Sequence, residues 1–313
     1  MAIRLIALLT FVLLAFAPPV RAEGPNTIHV LAVAIDLYSG AYYAQAEGFF
    51  KRAGLDVEIT TLANGNVVGT ALAGGTGDIG VSNLVQIAAA TEHGVPLTVI
   101  AGAGMYSTRA ASTALCVSKS SPIKTAKDLE GKTIAVAALN DQTSVALRKW
   151  LTEHGADYMK VHYIEMGYPE MIASLSARRI DAAMLAEPFQ TAARSGDARL
   201  FAKPFDSIAP EFNIGVWATT RTWAKAHPDL VKKFAAAIYA TAQWANTHHA
   251  ETAQILAKTA KADPKTMNGM IRAIQSTNLT VAHLQPPLDV AYQFHLLSQK
   301  IDAADLIWDP NKP

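Results

Sequence analysis

The side chains with chemical potential fall in short clusters, each directly after an apolar run. Asp36 and Tyr38 follow the run from Ile28 to Ile35, and Asn64 with Asn66 follows the run from Leu55 to Thr61. Ser82 and Asn83 close Ile79-Gly80-Val81, and Met105-Tyr106 comes shortly after the run from Leu97 to Ala101, in a glycine-bracketed loop. Asn140-Asp141-Gln142-Thr143-Ser144 follows the run from Lys132 to Ala137, Tyr168 follows that from Val161 to Glu165, and Glu187 ends Ala182 to Ala186. Carboxylates, amides, hydroxyls and phenols at such positions can hydrogen-bond a small solute. No His-Glu-x-x-His, nucleophile elbow or phosphate loop accompanies them, and His29, His248 and His249 stand apart from the clusters. No catalytic residue, metal or cofactor is therefore expected.

Each candidate has a plainer reading beside the functional one. Asp36 and Tyr38 can be exposed loop residues, Asn64, Asn66 and Asp141 helix caps, Tyr106 a core tyrosine, and Glu187 a partner within its own half. Asp141 also bears on ligand charge. A carboxylate at a helix N-terminus satisfies free N–H groups and the dipole, and it repels an incoming anion. Two unit charges about 4 Å apart at an effective dielectric near 20 cost about 4 kcal/mol. Glu187 and Asp36 add acids, and Arg109, just past Tyr106, is the cation that keeps an anionic ligand in play. The balance favours a neutral or partly cationic ligand, such as a planar nitrogen heterocycle or an amine.

The elements that must position these groups repeat. Leu72, Asp78 and Val81 fall on Leu175, Asp181 and Met184 with one offset of 103 residues, so a helix end, turn, aspartate and strand occur twice. Around each copy, strands alternate with helical patterns in β–α–β–α–β order over about 100 residues, which predicts a largely parallel sheet covered on both faces. The first copy gives helices over Ala41 to Lys51, ended by Gly54, over Val67 to Ala73 and over Leu84 to His93. The second gives Thr143 to Glu153, ended by Gly155, and a helix opened by Gly167-Tyr168-Pro169-Glu170. Beyond a strand over Asn213 to Thr219 the chain reads as helical: Pro228 to Asn246, His249 to Lys258, Pro264 to Gln275 and Pro287 to Lys300. Thr113–Val117 and Asn213–Thr219 flank the second copy and are expected to be the crossings of a hinge. That makes 23–113 with 216–313 one discontinuous lobe and 114–215 the other, with a cleft between facing strand ends.

Composition bounds the rest. The 313 residues are 50% hydrophobic and 17% charged, enough for one large core or two smaller ones. Residues 1–22, with Arg4, an apolar run from Leu5 to Ala17 and Val20-Arg21-Ala22, read as a cleaved secretory signal peptide. Its run is shorter than the roughly 20 residues of a membrane span. Removing Arg4 and Arg21 leaves 25 basic and 26 acidic side chains, so the mature charge is −1. A near-neutral chain without a basic run is a poor nucleic-acid or anionic-membrane binder. Cys116 is the single cysteine, which rules out an internal disulfide and a cysteine zinc site. A soluble, monomeric, periplasmic protein fits these features.

The sequence resembles the solute-binding proteins of ABC importers, of the nitrate/sulfonate/taurine/pyrimidine-precursor type. Gly40-Ala41-Tyr42-Tyr43-Ala44-Gln45-Ala46-Glu47-Gly48-Phe49-Phe50, continuing to Val57, is similar to that family's first helix and second strand. Gly77-Asp78-Ile79-Gly80, Met166-Gly167-Tyr168-Pro169-Glu170-Met171, Asp181-Ala182, Ala186-Glu187-Pro188-Phe189 and His227-Pro228-Asp229-Leu230-Val231 follow in family order. The resemblance implies a two-lobed periplasmic binding protein fold of type II, a small-molecule ligand trapped by lobe closure, and a membrane permease as partner. It also implies that Asn140-Asp141-Gln142-Thr143-Ser144 departs from the family's Gly-Ser pair, which holds anions. A sulfonate, taurine or nitrate binder, a solute-binding sensor for a membrane receptor, and a pyrimidine-synthase-like enzyme are the alternatives. The last is expected to carry histidine and cysteine motifs that this chain lacks.

Overall fold

Two five-stranded sheets are built to one plan. The computed structural model describes residues 27–65, 67–262, 267 and 269–311. The expected signal peptide over 1–22 and Asn66 lie outside the described residues. The first sheet is formed by β1 (Thr27–Val33), β2 (Asp56–Leu62), β3 (Ile79–Asn83), β4 (Leu97–Gly102) and, from far along the chain, β12 (Gly215–Thr220), in the order β2-β1-β3-β12-β4. The second contains β6 (Thr113–Ser118), β7 (Thr133–Val136), β8 (His162–Glu165), β9 (Ala182–Ala186) and β10 (Ala198–Ala202), in the order β8-β7-β9-β6-β10. β1, β2 and β3 run parallel, as do β7, β8 and β9. In each sheet the fourth strand is antiparallel to both neighbours: β12 between β3 and β4, β6 between β9 and β10. Helices cover both faces, so β3 and β9 are buried along their whole length and read as apolar runs.

The repeated aspartate has the same task in both copies. Asp78 N donates to His29 O and its carboxylate accepts from His29 N, both at 2.8 Å. Asp181 N donates to Thr133 O and its carboxylate accepts from Thr133 N, both at 2.9 Å. Each side chain thereby adds a rung below the first strand pair and fixes the register in which the central strand enters its sheet.

Between the lobes lies a three-stranded antiparallel ribbon, β11 (Glu211–Asn213), β5 (Gly104–Ser107) and β13 (Ile274–Gln275). It corrects several expectations. Met105 and Tyr106 are in a strand, not a loop. The strand expected over Asn213 to Thr219 divides at Ile214, because Asn213 pairs with Met105 while Gly215 pairs with Asn83. Thr113–Val117 is an interior strand of the second sheet, so the ribbon and the segments leading from it make the crossings. The helix expected to reach Gln275 does not, since Ile274 and Gln275 pair with Met105 and Gly104; Pro264 itself lies outside the described residues. The helix expected over Ala41 to Lys51 is broken at Gly48, with φ of 72°, into Gly40–Ala46 and Phe49–Arg52. The last long helix runs from Val281 to Gln293 rather than from Pro287. Thr280 caps its start by accepting from His283 N, and His295, at φ 59°, lies just past its end.

If Asp78 and Asp181 are register clamps, Asp78→Ala and Asp181→Ala should each lower the unfolding free energy by about 1–3 kcal/mol, the cost of leaving a strand N–H without its acceptor. Urea unfolding followed by circular dichroism measures both losses. A substitution without effect would remove that aspartate from the register.

Candidate functional site

The strand ends of both sheets converge on one cavity. Its lining comes from the first lobe (Val33, Ile35, Leu37, Tyr38, Asn64, Gly65, Asn83, Gln86), the second (Thr113, Ala137, Asp141, Thr143, Tyr168, Ala186) and the stretch joining them (Phe205, Ile214). The cavity between them is small in this structure, about 40 Å³. Six of the residues singled out from sequence meet here: Tyr38, Asn64, Asn83, Asp141, Thr143 and Tyr168. Among the described residues, no lysine, arginine or histidine is part of the lining, and Asp141 is the one carboxylate there.

On the first side, β1 ends in a short 3-10 turn, Asp36–Tyr38, that presents Tyr38. The ring packs against the backbone of β12, where a Cβ at Gly215 would sit 2.6 Å from it; only glycine permits that approach. Asn83 ends β3 and caps the helix Leu84–Glu92, its Oδ1 accepting from Gln86 N at 3.0 Å. The helix Val68–Ala73 has Val67 at its N-cap, so Asn64 does not hold that position. Ser82 turns away from the cavity. Its Oγ donates to Gly65 O at 2.8 Å and lies 3.0 Å from the Gln86 side-chain amide, fixing the loop and the glutamine that do line it.

On the second side, Asp141 caps the helix Gln142–Glu153 in a reciprocal box. Its Oδ1 accepts from Ser144 N at 2.8 Å while Asp141 N donates to Ser144 Oγ at 3.1 Å. Ser144 is consumed by that box and is buried; Asn140 is exposed. Burial pushes the Asp141 carboxyl up to about 6, against hydrogen bonds from Ser144 and Thr143, with Glu165 adding to the rise. Tyr168 opens the helix Tyr168–Ser176 and stacks on Phe189, with ring centroids 5.1 Å apart and planes 13° from parallel.

Three expected residues are structural supports around the cavity and do not line it. Asp36, far from being an exposed loop residue, is fully buried and accepts from Arg272 and Tyr43 hydroxyl, each at 2.8 Å, and from Ala273 N at 2.7 Å. Burial raises its carboxyl while the Arg272 guanidinium pulls it down. Glu187 is 1% exposed and accepts from Thr191 N and Oγ1, at 3.0 and 2.9 Å, and across the lobes from Ile271 N at 3.2 Å. Its pairing is therefore not confined to its own half. Burial raises its carboxyl too, and Asp36 adds to the rise. Tyr106 is fully buried, packs on Phe205 and Phe212, and donates to Asp206 at 2.6 Å, which braces Phe205 from behind. Arg109 is exposed and outside the lining. Gln86, Thr113 and Phe205 are not among the sequence candidates: Gln86 lies inside a helix, Thr113 begins a segment expected only as a crossing, and Phe205 sits in a turn away from the expected strand ends.

Asp141 gives a pH test. An acid whose folded pKa lies above its unfolded value, near 3.8, holds its proton more tightly when folded. Its favourable contribution is present at low pH and is lost as pH rises through about 6. Asp141→Asn keeps a capping oxygen without the charge. Relative to this variant, the wild-type protein should lose about 2 kcal/mol between pH 4.5 and 7.5. Chemical denaturation at several pH values reads the difference, and parallel profiles would show that Asp141 does not titrate in this range.

Comparison with known proteins places these features in context. No curated protein sequence matches the chain. Among solved structures, the alkanesulfonate-binding protein SsuA from Xanthomonas axonopodis pv. citri, bound to MOPS, is 19% identical; the match covers 92% of this chain and 99% of that one, with a TM-score of 0.75. The periplasmic nitrate-binding protein NrtA from Synechocystis PCC 6803 is 15% identical over 90% and 84% of the two chains, with a TM-score of 0.73. The desulfurization enzyme DSZB is similar in fold at 15% identity, over 90% and 96%, with a TM-score of 0.66. These likenesses establish a periplasmic binding protein fold. The profile of the family described as NMT1/THI5 like matches residues 37–252, well over half of the sequence, and the chain belongs to that family.

Proposed function

We propose that the protein is the extracytoplasmic solute-binding component of an ABC transporter, capturing a small organic solute between its lobes and delivering it to a membrane permease. The observation that carries this reading is the cavity, which takes polar and aromatic side chains from both lobes and so links occupancy to their relative position. The signal peptide expected over residues 1–22 would export the chain to the periplasm, where it acts as a monomer. The hinge falls at the three-stranded ribbon, with 23–113 and 216–313 on one side and 114–215 on the other, except that strand pairing puts Thr113 with the second side and Gly215 with the first.

The ligand is neutral or nitrogen-containing rather than a simple anion. Asp141 lines the cavity and, among the described residues, no cationic side chain does. Anions remain the second reading, because similar folds at low identity include alkanesulfonate- and nitrate-binding proteins. Thermal-shift titration with taurine, an aliphatic sulfonate, nitrate and a hydroxymethylpyrimidine separates the two. The expected outcome is a rise in melting temperature, growing with ligand concentration, for the nitrogen heterocycle and none for the anions. Stabilisation by nitrate or a sulfonate alone would reverse the assignment. Binding rather than catalysis predicts that a bound solute is recovered unchanged by mass spectrometry; recovery of a converted product would favour an enzyme of this fold.

A further inference from the structure

Five of the nine tyrosines hydrogen-bond through their hydroxyls within the described residues, and of the other four Tyr158 and Tyr292 lie outside the cavity lining. Tyr43 donates to Asp36, Tyr106 to Asp206 and Tyr163 to Tyr158 O; Tyr42 pairs with Thr61, and Tyr239 accepts from Gly102 N. Tyr38 and Tyr168, the two that line the cavity, have no hydrogen-bond partner among the described residues. Tyr38 is only 7% exposed. One comes from each lobe, and the charge of Asp141 acts on both phenols. Thr113, 4% exposed and also in the lining, has a buried hydroxyl without a partner. A buried polar group is rarely left unpaired without a reason, which applies to Thr113; the two phenol hydroxyls and the Asp141 carboxylate belong to the same lining.

We propose that this set clasps the ammonium or amidinium group of an organic cation, with Asp141 as counter-ion and the Tyr38 and Tyr168 hydroxyls accepting its N–H groups from opposite lobes. The proposal rests on the solute-binding reading and narrows its ligand class. A carboxylate only accepts hydrogen bonds, so the ligand group facing Asp141 must donate. Among the described residues no side-chain cation shares the lining, so a positive ligand is the one that offsets the Asp141 charge inside the cavity. Tyr38, Tyr168 and Phe205 also place aromatic side chains in the lining. Val33, Ile35, Ala137 and Ile214 leave apolar wall for the rest of the molecule. Because the two phenols belong to different lobes, the cationic head is also the group that joins them.

The test uses probes of one carbon skeleton and different heads: benzylamine, benzamidine, benzyl alcohol and benzoate, with butylamine and butyrate as an aliphatic pair, each titrated calorimetrically into the full mature protein. At least one amine or amidine should bind, and its matched alcohol and carboxylate should not. For that probe, Tyr38→Phe and Tyr168→Phe should each weaken binding about tenfold, with the melting temperature of the unliganded protein unchanged because neither hydroxyl has an internal partner. Asp141→Asn, which retains the cap, should weaken it more. Binding of a carboxylate or alcohol at equal strength, failure of every cation, or full affinity in both tyrosine variants would overturn the proposal. In the first of these cases solute binding itself stands and only the ligand class falls. If no solute of any charge stabilises the protein or is released from it on denaturation, the solute-binding reading fails as well.

Discussion

Two buried carboxylates, Asp36 and Glu187, govern where the lobes meet. They follow β1 and β9, the strands whose ends wall the cavity, and Asp36 N donates to Glu187 O at 3.2 Å. Both carboxylates then accept from one segment of the C-terminal region: Ile271 N to Glu187, Arg272 and Ala273 N to Asp36. Three distant parts of the chain are thus joined at a point shielded from water. Burying two acids side by side is costly, and the loss of either partner set would leave a charge uncompensated. The return is geometric, since the arrangement fixes how the two strand ends face each other.

Around that junction the cavity separates support from contact. Ser82, Ser144 and Tyr106 hold neighbours in place through hydrogen bonds: the loop at Gly65 with Gln86, the cap at Asp141, and the turn carrying Phe205. The residues they brace are the ones that reach the cavity. Asp141 belongs to both groups. It caps a helix and also lines the cavity, so the plainer reading does not exclude the functional one.

The sheets were legible because their determinants are local. Period, turn chemistry and the repeated aspartate all lie within a few residues of the strands they define, and the offset of 103 between Asp78 and Asp181 corresponds to matching backbone clamps. Half of the expected site residues line the cavity for the same reason: strand ends point there. What was not legible depends on partners far away in the chain. Asp36 read as a loop residue because Arg272 is 236 positions distant. The 3-residue strand Glu211–Asn213 and the 2-residue strand Ile274–Gln275 are too short to carry a periodic signal, and only their pairing with Gly104–Ser107 makes them strands. Phe205 enters the lining from a turn that nothing nearby in sequence links to a cleft.

Cys116 lies in the middle of β6 with no exposed surface, and burial pushes its thiol up to about 12. In practical terms the molecule arrives with its native sulfur chemically silent. A cysteine introduced at Val67 and another at Leu139, two exposed apolar residues that each lie two positions from a lining residue, Gly65 and Asp141, would then take up spectroscopic labels without any background site to remove. The distance between the lobes becomes something to read in solution, solute by solute.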